Sequence, residues 1–184
     1  MSWIPPVIAV WEKISSSSSI LTKLYSRPYR RVIENEISLA KLSQDDLILN
    51  IGCGAVPFTA LFLATLTGAR VLAVDIDPRA AGLAEKCVKN SGLAHRIQVF
   101  QGDGSKPLDI SFTASLVALQ AAPKDMILGA LKQSAPPGAR FIFRLPSPSY
   151  QDQYDNLSSD LAPGAISAQP MRTFDRSVLY VNPS

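Results

Sequence analysis

The chain has 184 residues, 47% apolar and 18% charged, with a net charge of +3 at pH 7 and a mean hydropathy of +0.13. That is enough apolar material for one core and too much for a disordered tail. The mild charge lacks the concentrated basic face that phosphate contacts demand, so no nucleic-acid partner is expected, and two cysteines (Cys53, Cys87) with one histidine (His95) exclude a disulfide framework and leave no familiar zinc ligand set.

Residues 1–28 read as a leader with Trp3, Trp11 and the serine run Ser15–Ser19, a linker. Its apolar stretch Ile4–Trp11 holds two prolines, and Ala114–Ala122 is cut by Ser115 and Gln120. Both fall short of the about 18 residues of a spanning helix. The N-terminus lacks the basic region of a secretory signal. A cytoplasmic protein with no transmembrane segment is the expectation, with exposed leader aromatics marking an interface, such as that of a homodimer. Pro28 suits the first turn of a helix running to about Leu42. Residues 1–43 are therefore expected to form a helical leader packed on a core domain of residues 44–184.

From Leu47 strand and helix alternate. Leu47–Ile51 reads as a buried strand, followed by a helix from about Pro57 to Thr67 that Gly68 ends. Arg70–Val74 is a second strand, and Pro78 opens a helix to about Asn90. Ile97–Phe100, Ser115–Leu119 and Ala139–Leu145 follow as strands, with a helix over Pro123–Ser134 between the last two. Strands spaced by helices of this length imply parallel βαβ units with right-handed crossovers, an α/β fold. The tail is punctuated by Pro146, Pro148, Pro163 and Pro170. It suggests a helix near Gln151–Leu157, then strands Ala165–Thr173 and Ser177–Val181 in an antiparallel hairpin around Asp175 and Arg176.

The most informative segment is Asn50-Ile51-Gly52-Cys53-Gly54-Ala55-Val56-Pro57, between the first strand and a helix. Its glycines let the chain turn tightly and bring backbone N–H groups to a ligand. The second strand ends in Val74-Asp75-Ile76-Asp77, and Asp75 stands at about the spacing at which a carboxylate accepts two ribose hydroxyls. Asp77 fits the N-cap of the helix that Pro78 opens. A dinucleotide site wants a third glycine so that a helix N-terminus reaches the pyrophosphate. Here Val56 and Pro57 stand instead, and the loop has no basic residue. The third strand ends in Gln101-Gly102-Asp103-Gly104, whose carboxylate suits an adenine amino group. An adenosine ligand without phosphates meets these conditions, and S-adenosylmethionine is one; an NAD-dependent reductase is the weaker rival. Cys53 reads as pocket floor, Phe58 and Thr59 as pocket lining at the start of the helix, Gln120 as a tip residue facing the reacting centre, and His95 as a loop residue at the opposite end.

Leu47 to about Arg144 resembles the class I S-adenosylmethionine-dependent methyltransferases. Asn50–Val56 matches their glycine motif, Asp75 their ribose acid and Asp103 their adenine-side acid, while Asn50 and Val56 replace the motif's usual acid and last glycine. The resemblance implies a Rossmann-like, seven-stranded, mostly parallel sheet with helices on both faces and a reversed C-terminal hairpin. It implies a cofactor site of Asn50, Gly52, Cys53, Gly54, Phe58, Thr59, Asp75, Ile76, Asp103, Gly104 and Gln120. Gly52–Thr59, Asp75–Pro78 and Pro137–Arg140 also look like segments of nicotianamine synthase-like enzymes, which transfer an aminopropyl group in place of the methyl. Methyl transfer to a small molecule is the first expectation. Aminopropyl transfer with release of methylthioadenosine is the second, and a non-catalytic binding subunit the third.

On the helix before the first strand, Tyr25, Tyr29, Val32, Ile33, Ile37, Leu39 and Ala40 gather on one side at 100° per residue, opposite Arg30, Arg31, Glu34, Ser38 and Lys41. Glu36 falls amid the apolar residues, where a carboxylate must find a partner, protonate or face a ligand cavity. Nicotianamine synthase-like enzymes are similar in placing a catalytic glutamate upstream of the glycine motif. The resemblance makes Glu36, with Tyr29 beside it, the candidate proton-accepting pair.

Overall fold

The structure, a computed structural model, describes residues 19–183. The expected leader residues 1–18, with both tryptophans, lie outside that range. Helix α1 (Ser19–Ala40) starts well before Pro28 and passes through it. Proline fixes the same φ at a helix start and in a helix interior, so Pro28 marks the helix without marking its first turn. The expected amphipathic stripe holds: Val32, Ile33 and Ala40 are buried, and Ile37 and Leu39 pack against the core.

Seven strands follow in the order β3-β2-β1-β4-β5-β7-β6. They are β1 (Leu47–Ile51), β2 (Arg70–Asp75), β3 (Ile97–Gln101), β4 (Ala114–Val117), β5 (Arg140–Pro146), β6 (Ala165–Ala168) and β7 (Phe174–Val181). The first five pair in parallel, whereas β7 runs antiparallel to both β5 and β6. Helices α2 (Phe58–Thr67), α3 (Pro78–Asn90) and α4 (Lys124–Ser134) complete the layers. Side chains alternate between two apolar clusters, as a sheet buried on both faces requires. Ile48, Val71, Leu116 and Ile142 join the α1–α3 side, while Leu49, Leu72, Val117 and Phe143 join the α4 side.

Two basic residues of β5 face α1. Arg140 Nη1 donates to the carbonyls of Ala40 (2.9 Å) and Lys41 (3.1 Å) at the end of the helix, and Nη2 pairs with Asp46. Arg144, four residues further along the strand and so on the same face, pairs with Glu36. These contacts lay α1 along β5, from the strand's amino end at Arg140 to its carboxyl part at Arg144, near the glycine loop.

The tail corrects three expectations. No helix forms over Gln151–Leu157; a 3-10 turn at Pro148–Tyr150 leads into turns, and Asp155 instead accepts from the Lys124 amide (2.6 Å) at the start of α4. Pro123 precedes that helix and offers no side-chain cap, so a nonlocal carboxylate supplies one. Strand β6 stops at Ala168, short of Thr173, because Pro170 has no N–H for a ladder. Asp175 and Arg176 are therefore inside β7 and not in the connecting turn.

Candidate functional site

The parallel order reverses between β1 and β4, and a cleft of about 170 Å³ opens at the strands' carboxyl ends there, where open α/β sheets take ligands. Gly52 and Gly54 adopt φ of +76° and +69°, a region that side chains resist. The amides of Gly52 and Cys53 donate to the Val74 carbonyl at 2.9 and 3.0 Å, which docks the loop on β2. Asp75 then ties the two loops together: Oδ2 accepts from the Gly54 amide at 2.7 Å and Oδ1 from the Asp77 amide at 3.0 Å. Asp77 caps α3 by accepting from Arg79 N at 2.8 Å, next to Pro78.

Opposite stands Asp103, which accepts from the Ser105 amide (3.0 Å) and hydroxyl (2.6 Å) and pairs with Lys106 at 3.4 Å. The Ser105 hydrogen bonds, then Lys106, hold its carboxyl below the usual range. Gly104 has no room for a side chain: a Cβ there would lie 2.5 Å from Ile51 Cγ2. Of the residues singled out from the sequence, Gly52, Asp75, Ile76, Asp103, Gly104 and Gln120 line this cleft. Asn50 does not; it is fully buried behind the loop, with Nδ2 donating to the Leu116 carbonyl. Cys53 is buried beneath the loop, and burial followed by the Asp75 charge pushes its thiol up to about 12. A thiol kept protonated in this way makes a poor nucleophile.

Phe58 and Thr59 face a second polar cluster. Arg144 Nε and Nη2 each donate to a Glu36 carboxylate oxygen at 2.8 Å, and Nη1 donates to Thr59 Oγ1 at 3.2 Å. Ser177 Oγ donates to Glu36 Oε1 (2.7 Å) and accepts from Gln169 Nε2 (3.0 Å). The guanidinium lies 5.5 Å from the Tyr29 ring centroid and 5.4 Å from that of Phe174. Tyr29 in turn packs on Phe58 at 6.2 Å. Glu36 is 0% exposed, and of the outcomes open to a carboxylate there it has found a partner, Arg144. Burial works against the Arg144 charge, but Glu36 outweighs it and holds the guanidinium above its usual value. The structure thus brings Glu36 and Tyr29 together around Arg144, beside the glycine loop.

The sequence reading left the identity of Glu36's partner open and missed Lys124. Arg144 sits in an apolar strand run, where a buried cation signals a nonlocal partner. Lys124 opens α4 looking like a surface lysine, yet it is 0% exposed. Among the described residues, no three His, Cys, Asp or Glu side chains gather where a metal could sit.

Residues 49–125 match the methyltransferase domain family. Over 94% of this chain the fold superposes on 68% of MtNAS in complex with MTA and tNA, with a TM-score of 0.80 at 23% identity. It also superposes on an RNA methyltransferase from Salinibacter ruber in complex with S-adenosyl-L-homocysteine (TM-score 0.67, 21% identity, 84% of this chain and 92% of that one). This is the class I S-adenosylmethionine-dependent methyltransferase fold. An L-histidine 2-aminobutanoyltransferase of Yersinia pestis is 35% identical over 105 residues, 55% of this chain and 40% of that protein. One from Pseudomonas aeruginosa is 30% identical over 116 residues, 61% of this chain and 43% of that protein. The chain thus spans about two fifths of the length of these curated relatives.

Proposed function

We propose that this chain is an S-adenosylmethionine-dependent transferase that moves one of the cofactor's carbons to a small-molecule acceptor. One observation carries the reading: Asp75 and Asp103 flank a glycine-lined cleft with no lysine or arginine in its lining. Acceptor-only carboxylates suit the hydroxyl and amino donors of an adenosine and repel a diphosphate. The narrow passage at Gly104, where a Cβ would meet Ile51, suits the close approach of a flat ring system. In this reading Asp75 takes the ribose, Asp103 the adenine side, and the loop from Gly52 to Gly54 the amino-acid end, with Ile76 over the rim and Gln120 toward the acceptor.

When bound, S-adenosylmethionine supplies a carbon already activated on a sulfonium. The chain's task is then alignment, with a proton acceptor where the nucleophile is protonated. Glu36 and Tyr29 are the proposed catalytic pair; Arg144 and Ser177 hold both Glu36 oxygens, and one of these contacts must yield for the carboxylate to take a proton. The Glu36→Gln variant keeps a polar group of the same shape; it is expected to lower kcat by about 100-fold while cofactor affinity stays within twofold. Unchanged kcat with a lowered Tm would make Glu36 a packing residue only.

Methyl transfer comes first, supported by the methyltransferase family match over residues 49–125. A second reading, transfer of the cofactor's amino-acid-bearing carbon chain, is favoured by the curated relatives, which are aminobutanoyltransferases. Incubation of the purified protein with cofactor and a pool of small amines and amino acids separates them. S-adenosylhomocysteine is the by-product of the first and methylthioadenosine of the second. Binding without either by-product would leave a non-catalytic binding subunit, and no binding at all would overturn the proposal. No helix among the described residues is long and apolar enough to cross a membrane, in keeping with a cytoplasmic setting. Arg30 is engaged by Glu34 at 2.8 Å, which speaks against a free basic stripe for nucleic acid. A homodimer through the leader remains part of the proposal, to be read from the solution mass.

A further inference from the structure

Lys124 is buried completely, and no carboxylate among the described residues pairs with its ammonium. Nζ donates to the Leu119 carbonyl at 2.7 Å and the Ala121 carbonyl at 3.0 Å. These two carbonyls flank Gln120, and Gln120, Ala121 and Ala122 form one wall of the cleft. The same turn supports the opposite wall. A Cβ on Gly52 would stand 3.2 Å from Ala118 Cβ and 3.3 Å from Ala121 Cβ, so the glycine loop rests directly on it. Asp155, whose charge is felt by the ammonium, uses a carboxylate oxygen on the main-chain N–H of Lys124.

An ammonium taken out of water is costly, whereas a methionine of similar length would fill the same volume without that penalty. What the methionine could not do is satisfy two carbonyls that a tight turn points inward. We propose that Lys124 is a positioning residue of the cleft, a staple that ties the Leu119 and Ala121 carbonyls and so sets the wall presenting Gln120 against the glycine loop. The staple itself follows from the contacts above; its effect on ligand affinity and turnover rests on the function proposed in the preceding subsection.

The test is Lys124→Met in the full chain, with Lys124→Arg as the conservative control. The Ala121 amide, which donates to the Ala118 carbonyl at 3.2 Å, reports on the turn in unliganded protein. In Lys124→Met its hydrogen exchange is expected to speed up about tenfold, with strand β1 amides unchanged. Affinity for S-adenosylhomocysteine is expected to fall by about the same factor, and Lys124→Arg, which keeps donors, to recover part of both. If wild type binds no S-adenosylhomocysteine, the proposed function fails while the exchange result still decides on the staple. Exchange at Ala121 that matches wild type, or that rises equally throughout the chain, overturns the positioning role. Should Lys124→Met not fold, wild-type protein with 15N-labelled lysine decides instead. With 13C also placed at the carbonyls of Leu119 and Ala121, through-hydrogen-bond couplings from Nζ to both carbonyl carbons are expected, and their absence overturns the proposal.

Discussion

Gly104 is the most tightly crowded glycine lining the cleft. The methyl group that a Gly104→Ala substitution adds would press on Ile51 Cγ2 from 2.5 Å, and Ile51 is β-branched and held in a strand, so it cannot swing away. The variant is expected to lose about 1–3 kcal/mol of stability by overpacking, read from denaturant unfolding, and to weaken S-adenosylhomocysteine binding by calorimetry; wild-type values for both would mean that the ring passage is not tight. Cys53 is the reverse case, a reactive residue type made inert. With its thiol pushed up to about 12 by burial and the Asp75 charge, it is expected to resist alkylation at pH 8 until the protein is denatured. The half-buried Cys87 should react first; preferential labelling of Cys53 in the folded protein would contradict this environment. The glycines and acids of the cleft were legible because their meaning lies in spacing along a contiguous strand–loop–helix unit. The pairing of Arg144 was not, because Glu36 is brought to it from a distant helix, and neither was the burial of Lys124, whose carbonyl partners are near in sequence but whose enclosure is a matter of tertiary packing.

Helix α1 shows how such nonlocal polar contacts hold an element. The expected apolar stripe gives it a face to bury, yet Glu36 lies within that face and is stable there only because Arg144 meets both oxygens and Ser177 adds a third hydrogen bond. Arg144→Met should therefore cost about 3–5 kcal/mol by stranding the carboxylate, a Tm loss on the order of 10 °C for a chain of this size. Combining it with Glu36→Gln should recover part of the loss, since the two act on one interaction. Strictly additive losses in a thermal melt would show that the two residues are not coupled. The elements that periodicity and glycine or proline punctuation define, β1 through β5 with their helices, were readable from sequence to within a residue or two. The tail was not. Its turns answer to distant demands: Asp155 caps α4, and Ser158 donates to Asp125 in the first turn of that helix.

For the molecule as a whole, the sheet separates two layers with different electrostatic character. The α1–α3 side neutralises its buried charge within the Glu36–Arg144 pair, whereas the α4 side carries Lys124 with only main-chain carbonyls on its ammonium. Desolvation lowers the Lys124 pKa to about 8 from 10.5, with the Asp155 charge opposing the shift. Between those values the unfolded chain holds a proton that the folded chain has released, so this residue makes stability rise with pH across that window. Its penalty is complete below about pH 8 and absent above about 10.5. Cys53 and Tyr180 act the other way at high pH. Burial raises the pKa of each when folded, so their unfolded forms ionise first and stability falls as pH rises. A bare stability profile therefore mixes opposing slopes, but the difference between wild type and Lys124→Met cancels the shared groups. That difference, measured by urea unfolding from pH 7 to 10.5, is expected to shift steadily in favour of wild type as pH rises. A flat difference would mean that the ammonium meets no desolvation cost and that Lys124 is not held in a buried site.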